Sequence, residues 1–215
     1  MRFKTILIIL LTSLSLSAGN NSADSVLLAA YQREDMTVWK EYIATFSIEA
    51  LTGLTTNDLL YEYGYCGYIV AEAKTEGKEA LLPEAKACVH QFKTHVEEAH
   101  SLSLGEGRGE VLPPGHYEMF LSAVYVYELR LHESMHPVKS MNLAKRATQL
   151  APNDPLVLSY YGTCLFYAPK PFGSKPEALT WFDKAKRLFQ DPQWQYCWVR
   201  EANEMYINKS KDLCR

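Results

Sequence analysis

His132-Glu133-Ser134-Met135-His136 carries the H-E-x-x-H spacing. On one helical face such a pair of histidines holds zinc while the glutamate activates the metal-bound water. The neighbours argue against that use. Pro137 stops a helix directly after the second histidine, Lys139 and Asn142 stand where the longer zinc-peptidase pattern needs Gly and His, and the next glutamate is Glu177. His132 and His136 are therefore the candidate metal ligands, read first as histidines of a solvated turn, and a zinc hydrolase built on His132, Glu133 and His136 is an alternative function. The Gly105-x-Gly107-x-Gly109 run is not followed by Gly-Lys-Ser/Thr and no strand pattern precedes it, so it does not read as a phosphate cradle. No Gly-x-Ser-x-Gly elbow is present, and Glu97, Glu98, Glu201 and Glu204 fall at the spacing of a solvated helix face. No catalytic residue is assigned, no cofactor is required, and the expectation is a protein that is not an enzyme.

Cys66, Cys88, Cys164, Cys197 and Cys214 form no C-x-x-C pair, which leaves no redox or structural zinc signature. Their first reading is as small apolar core residues, with Cys66 and Cys88, on the two arms of one helical hairpin, as the disulfide to test. The odd count leaves at least one thiol unpaired. Fourteen tyrosines are many for 215 residues and call for a packing or binding use. A formal net charge of −3 and the lack of a basic stripe exclude nucleic acid as the expected partner.

The elements that would position these residues are helices throughout. Residues 1–19 read as a signal peptide: Arg2 and Lys4 precede an apolar run that begins at Ile6, and small residues close it, with cleavage between Ser17 and Asn20. The run is too short to span a bilayer, and no later segment is long enough, so an exported, periplasmic or secreted chain without a transmembrane segment is expected. Apolar spacing from Ala23 to Leu51 predicts one or two helices, interrupted at Arg33-Glu34-Asp35. Thr55-Thr56-Asn57 signals the start of a helix reaching Thr75, and Pro83 fits the first turn of its partner, ending near His100. Ser101 to Gly115 is rich in Gly and Pro and reads as a loop. Five further helices are read at 116–131, 138–150, 153–167, 176–189 and 192–208. The expected fold is all-α, with seven or eight helices: a cap at 20–56, repeats at 57–192 and a capping helix at 193–215.

Tyr63-Gly64-Tyr65-Cys66 and Tyr161-Gly162-Thr163-Cys164 repeat one another, and each opens an apolar run followed by an Ala-rich amphipathic one. From Pro155, Leu158, Tyr161, Gly162 and Leu165 precede Ala178, Phe182, Ala185 and Pro192. Ala123 with Ala144, Ala147 and Pro152 forms a second copy, and Tyr63, Gly64 and Gly67 with Ala85, Val89 and Phe92 a third. These residues resemble the tetratricopeptide repeat family, whose hairpins stack into a solenoid. The Pro-Lys-Pro-Phe-Gly turn at residues 169–173 is similar to that of an exported bacterial subgroup. The resemblance implies that the first helix of each hairpin lines a concave surface. On those helices Tyr61, Tyr65 and Tyr68 share one face, Tyr117, Phe120 and Tyr127 come from the next copy, and Thr163, Phe166 and Tyr167 from the last. Such a groove suits a protein or peptide partner, or a small apolar ligand. The same stripe also reads as ordinary core. The expected function is an exported binding or scaffold protein. A further alternative is an accessory subunit of an extracytoplasmic ligand-uptake system, as some exported relatives of the repeat class are.

Overall fold

The structure, a computed structural model, describes residues 21–46, 55–104 and 112–213. The segment read as a signal peptide, Gly105, Gly107, Gly109 and Cys214 lie outside the described residues. Nine α-helices occur among those described: α1 (Asn21–Gln32), α2 (Met36–Ile43), α3 (Thr56–Glu72), α4 (Leu82–Leu104), α5 (His116–Arg130), α6 (Pro137–Leu150), α7 (Pro155–Tyr167), α8 (Lys175–Leu188) and α9 (Trp198–Leu213). Short 3-10 turns sit at Glu79–Leu81 and Pro192–Trp194. The chain is all-α, and no described helix is long and apolar enough to cross a membrane.

Local chemistry sets the helix starts. Thr55 accepts from the Asp58 amide while the Asp58 carboxylate accepts from the Thr55 amide at 2.8 Å, a capping box that fixes α3. Asp154 accepts from the Leu156 and Val157 amides, Ser174 from that of Glu177, and prolines occupy the first turns of α6, α7 and α8, where no amide is needed. The N-terminal segment makes two helices broken at the expected Arg33-Glu34-Asp35 interruption, because Glu34 turns the chain with φ 58° and Asp35 caps α2. Two boundaries differ from the sequence reading. Residues 101–104 extend α4. The stretch 192–208 is not one helix: a 3-10 turn capped by Asp191 comes first, and α9 begins only at Trp198.

Each helix packs on its neighbours in the chain, and α3 with α5, α5 with α7 and α7 with α9 also touch. The second helices supply narrow buried stripes. Ala85, Val89, Phe92 and Val96 of α4 are all at most 1% exposed, and so are Ala178, Phe182 and Ala185 of α8. Burying each Phe contributes about 1.5–3 kcal/mol, and the alanines allow the close approach that this burial requires. Gly162 shows how close: a Cβ there would lie 2.7 Å from the Phe182 ring.

Cys66 and Cys88 form a disulfide between α3 and α4, with Cα atoms 5.8 Å apart, so this pair is a crosslink rather than a pair of free core thiols. One turn along α3, fully buried Glu62 meets the His95 Nδ1 of α4 at 2.8 Å. Burial raises the Glu62 pKa, while the His95 contact works against the rise.

The two ends of the described chain meet on α3. Trp39 of α2 has no exposed surface, donates its indole N–H to the Leu27 carbonyl at 2.8 Å, and meets Trp198 of α9 edge-on at 5.3 Å. Gly64 leaves the space for both, since a Cβ there would lie 2.5 Å from Trp39 and 2.8 Å from Trp198.

Candidate ligand-binding face

The H-E-x-x-H residues do not share a helical face. α5 ends at Arg130, His132 takes a left-handed backbone with φ 60°, and His136 caps α6 ahead of Pro137. Glu133 pairs with Lys86 at 3.1 Å, and the ring of His136 meets Tyr125 edge-on. The i, i+4 alignment that would converge His132 and His136 on one metal therefore does not form. Among the described residues no group of three or more His, Cys, Asp or Glu is placed to hold a metal ion.

The two unpaired described thiols are not nucleophiles at neutral pH. Burial pushes Cys164 up to about 12 against the hydroxyls of Tyr160 and Ser122, and pushes Cys197 to about 12 against the amides of Val199 and Arg200. Cys164 belongs to a polar seam. Tyr160 donates to Ser122 at 2.8 Å, and Ser122 donates to the Ser140 carbonyl at 2.8 Å, tying α5, α6 and α7 together. Of the glutamates read as a solvated face, Glu98 has one carboxylate oxygen shielded from solvent without a partner.

The proposed groove residues divide. Tyr61, Tyr65, Phe120 and Tyr127 are at most 6% exposed and belong to the core, a correction to the aromatic groove. The tyrosines among them carry packing duties at both ends of the ring. Tyr61 donates to Asp24 at 2.8 Å, Tyr65 to Glu84 at 2.9 Å, and Tyr127 to the Tyr63 carbonyl at 2.9 Å. Tyr117 stacks on His100, and Thr163 donates to the Ser159 carbonyl. The spacing that put Tyr61, Tyr65 and Tyr68 on one face holds, but that face turns against α2 and α4, and only Tyr68 reaches solvent.

Apart from Tyr68, what remains open lies at the end of α7. Tyr167 is 64% exposed and Phe172 48%. Phe166 and Tyr167 meet at 5.0 Å, and the Tyr206 ring of α9 closes the cluster at 5.7 Å from Phe166 and 5.9 Å from Tyr167. Beneath it Phe182 stacks parallel to Tyr206 at 5.3 Å and holds that ring from the core side. Burial raises the Tyr206 pKa, and the Tyr167 hydroxyl and nearby tyrosines add to it. Lys175 lies 5.6 Å from the Phe166 ring centre and Lys209 5.8 Å from that of Tyr206, which gives an apolar surface a cationic rim.

The sequence reading named Phe166 and Tyr167 and missed Tyr206, Phe172 and the lysines. Tyr206 stands outside the repeats, on the helix assigned as a cap. An aromatic directly after Pro171 in the inserted turn was the one signal available for Phe172. Comparison with protein-family models, with curated proteins and with solved structures finds no match.

Proposed function

We propose that the protein is a binding protein of the tetratricopeptide-like kind, exported by its N-terminal segment, which engages a protein or peptide through the aromatic cluster at the end of α7. The observation that carries this reading is the exposure of Tyr167 on a cluster whose Tyr206 ring is held by Phe182, with Phe172 exposed in the turn that follows α7. Rigid, exposed aromatic rings offer contact area at low entropic cost, and contiguous apolar surface of this kind marks interaction sites. Lys175 and Lys209 favour a partner segment in which carboxylates flank apolar side chains.

The test is affinity capture from native envelope extract with wild-type protein and with the Tyr167→Ala, Phe172→Ala double variant side by side, followed by mass spectrometry and metal analysis. A partner retained by the wild type and lost by the variant is expected. A partner held equally by both, or equimolar zinc with no partner, overturns the reading.

A further inference from the structure

On another part of the molecule, α1, the starts of α3, α5, α7 and α9 and the segment 188–197 converge around an open cleft of about 760 Å³. That size lies within the range of small-ligand sites. Asp24, Asp154 and Asp191 line it, His116 is the basic side chain in its wall, and no Lys or Arg lines it. Tyr61, Trp194, Tyr196 and Trp198 supply aromatic walls. Lys184 reaches the rim, where its ammonium donates to the Pro152 carbonyl at 2.7 Å.

Four helix starts face the cleft, each worth about half a positive charge, and the ends of α6 and α8 return about half a negative charge each. Three full carboxylates outweigh that balance, and the amides of α7 and of the 3-10 turn nearest them are already taken by Asp154 and Asp191. Among the described residues neither Asp24 nor Asp191 has an ion-pair partner. Asp24 is met by the Tyr61 hydroxyl at 2.8 Å and by the Asn57 amide at 3.5 Å. Burial and the nearby Asp58 raise its pKa against the Tyr61 bond, the signature of a negative charge lacking a counter-charge.

A second, independent feature is His116. It is 2% exposed, its Nε2 meets Asp154 at 2.8 Å, and its Nδ1 has no partner. In the tautomer that places the proton on Nε2, toward the carboxylate, Nδ1 is an acceptor without a partner on a residue that lines the cleft. An unsatisfied buried acceptor is costly unless a ligand supplies the donor.

We propose that this cleft binds an organic cation, an ammonium or guanidinium group held by Asp24 and Asp191 against the aromatic walls, with His116 Nδ1 taking one of its N–H donors. The carboxylates supply charge, the rings supply cation–π attraction, and the imidazole fixes the donor direction. The cation is either a free amine or the side chain of a basic peptide.

The test uses the mature chain with cadaverine, a lysine-containing peptide blocked at both ends, hexanoate and calcium chloride as separate titrants. Binding is read by calorimetry and by the fluorescence of Trp194 and Trp198. Cadaverine or the peptide binds, hexanoate does not, and Asp24→Asn and Asp191→Asn each weaken binding about tenfold or more, the loss of one charge-assisted contact. Asn at position 191 still caps the turn, and unchanged melting of the variants separates lost binding from lost fold. The tighter of the two amines identifies the source of the cation. Failure of both amines to bind, equal binding by the variants, or tighter binding of calcium than of either amine overturns the proposal. None of these outcomes touches the aromatic cluster on α7, whose own test is independent.

Discussion

Gly64→Ala adds one methyl group at the place where the two ends of the described chain meet. The new Cβ would lie 2.5 Å from Trp39 and 2.8 Å from Trp198, whereas carbon atoms settle at about 3.5–4.0 Å, so the indoles must yield by about 1 Å. Trp39 is pinned, having no exposed surface and a bond from its indole to Leu27. Trp198 has no partner for its indole nitrogen and opens its helix, so Trp198 and the start of α9 move. Overpacking of this kind costs about 1–3 kcal/mol, and two aromatic contacts place the cost at the upper end. The gain in helix propensity from Gly to Ala offsets about 1 kcal/mol. The net is a destabilisation of about 2 kcal/mol, which for a chain of this size lowers the melting temperature by about 4–8 °C. Urea denaturation followed by far-UV circular dichroism measures it, with tryptophan fluorescence reporting the displaced indoles. Trp198→Leu in the Gly64→Ala background recovers part of the loss, giving a favourable coupling in a double-mutant cycle. If Gly64→Ala is as stable as the wild type or more so, the ends do not meet on Gly64 and the packing reasoning is wrong.

Replacing Cys66 and Cys88 together with Ser lowers stability by about 3 kcal/mol, because the bridge closes a loop of 22 residues in the unfolded chain. Reductant reproduces the loss in the wild type, and an unchanged urea midpoint under reductant would contradict the crosslink. Asp154→Asn costs about 1–2 kcal/mol at neutral pH through loss of the charged bond to His116, although Asn still caps α7. Burial alone would raise the Asp154 pKa, but His116 and the two α7 amides bring it below its ordinary 3.8. Its contribution is therefore complete above pH 3.8 and is lost as pH falls through the lower folded value, so wild type and variant converge in acid in pH-dependent urea titrations. A constant difference down to that pH would rule out the charged bond as the cause.

Helix content and most boundaries were legible in the sequence because caps and prolines act locally. Thr55, Asp154 and Pro137 each mark a start through one or two short-range contacts. The repeated Tyr-Gly-x-Cys segments were legible as a pattern but not as packing. Gly162 makes room for Phe182 of its own hairpin, while Gly64 makes room for tryptophans from the opposite ends of the described chain. Likewise Cys66 is crosslinked to α4, whereas Cys164 sits beside Tyr160 and Ser122. Periodicity identifies which residues share a face but not which neighbour covers that face. Tyr61, Tyr65 and Tyr127 were therefore read as a groove when α1, α4 and α3, respectively, take up their hydroxyls. The acidic cleft depends on segments more than 100 residues apart, Asp24 and Asp191, and no local signal brings them together.

The central claim is that binding resides in the exposed cluster at the end of α7 and not in the buried tyrosines of α3 and α5. With the captured partner in hand, its dissociation constant and the melting temperature are measured together for Tyr167→Ala and Tyr127→Ala. The account predicts that Tyr167→Ala weakens binding at least about tenfold with melting unchanged, while Tyr127→Ala lowers melting. Loss of binding from Tyr127→Ala at unchanged melting, with Tyr167→Ala silent, would contradict it.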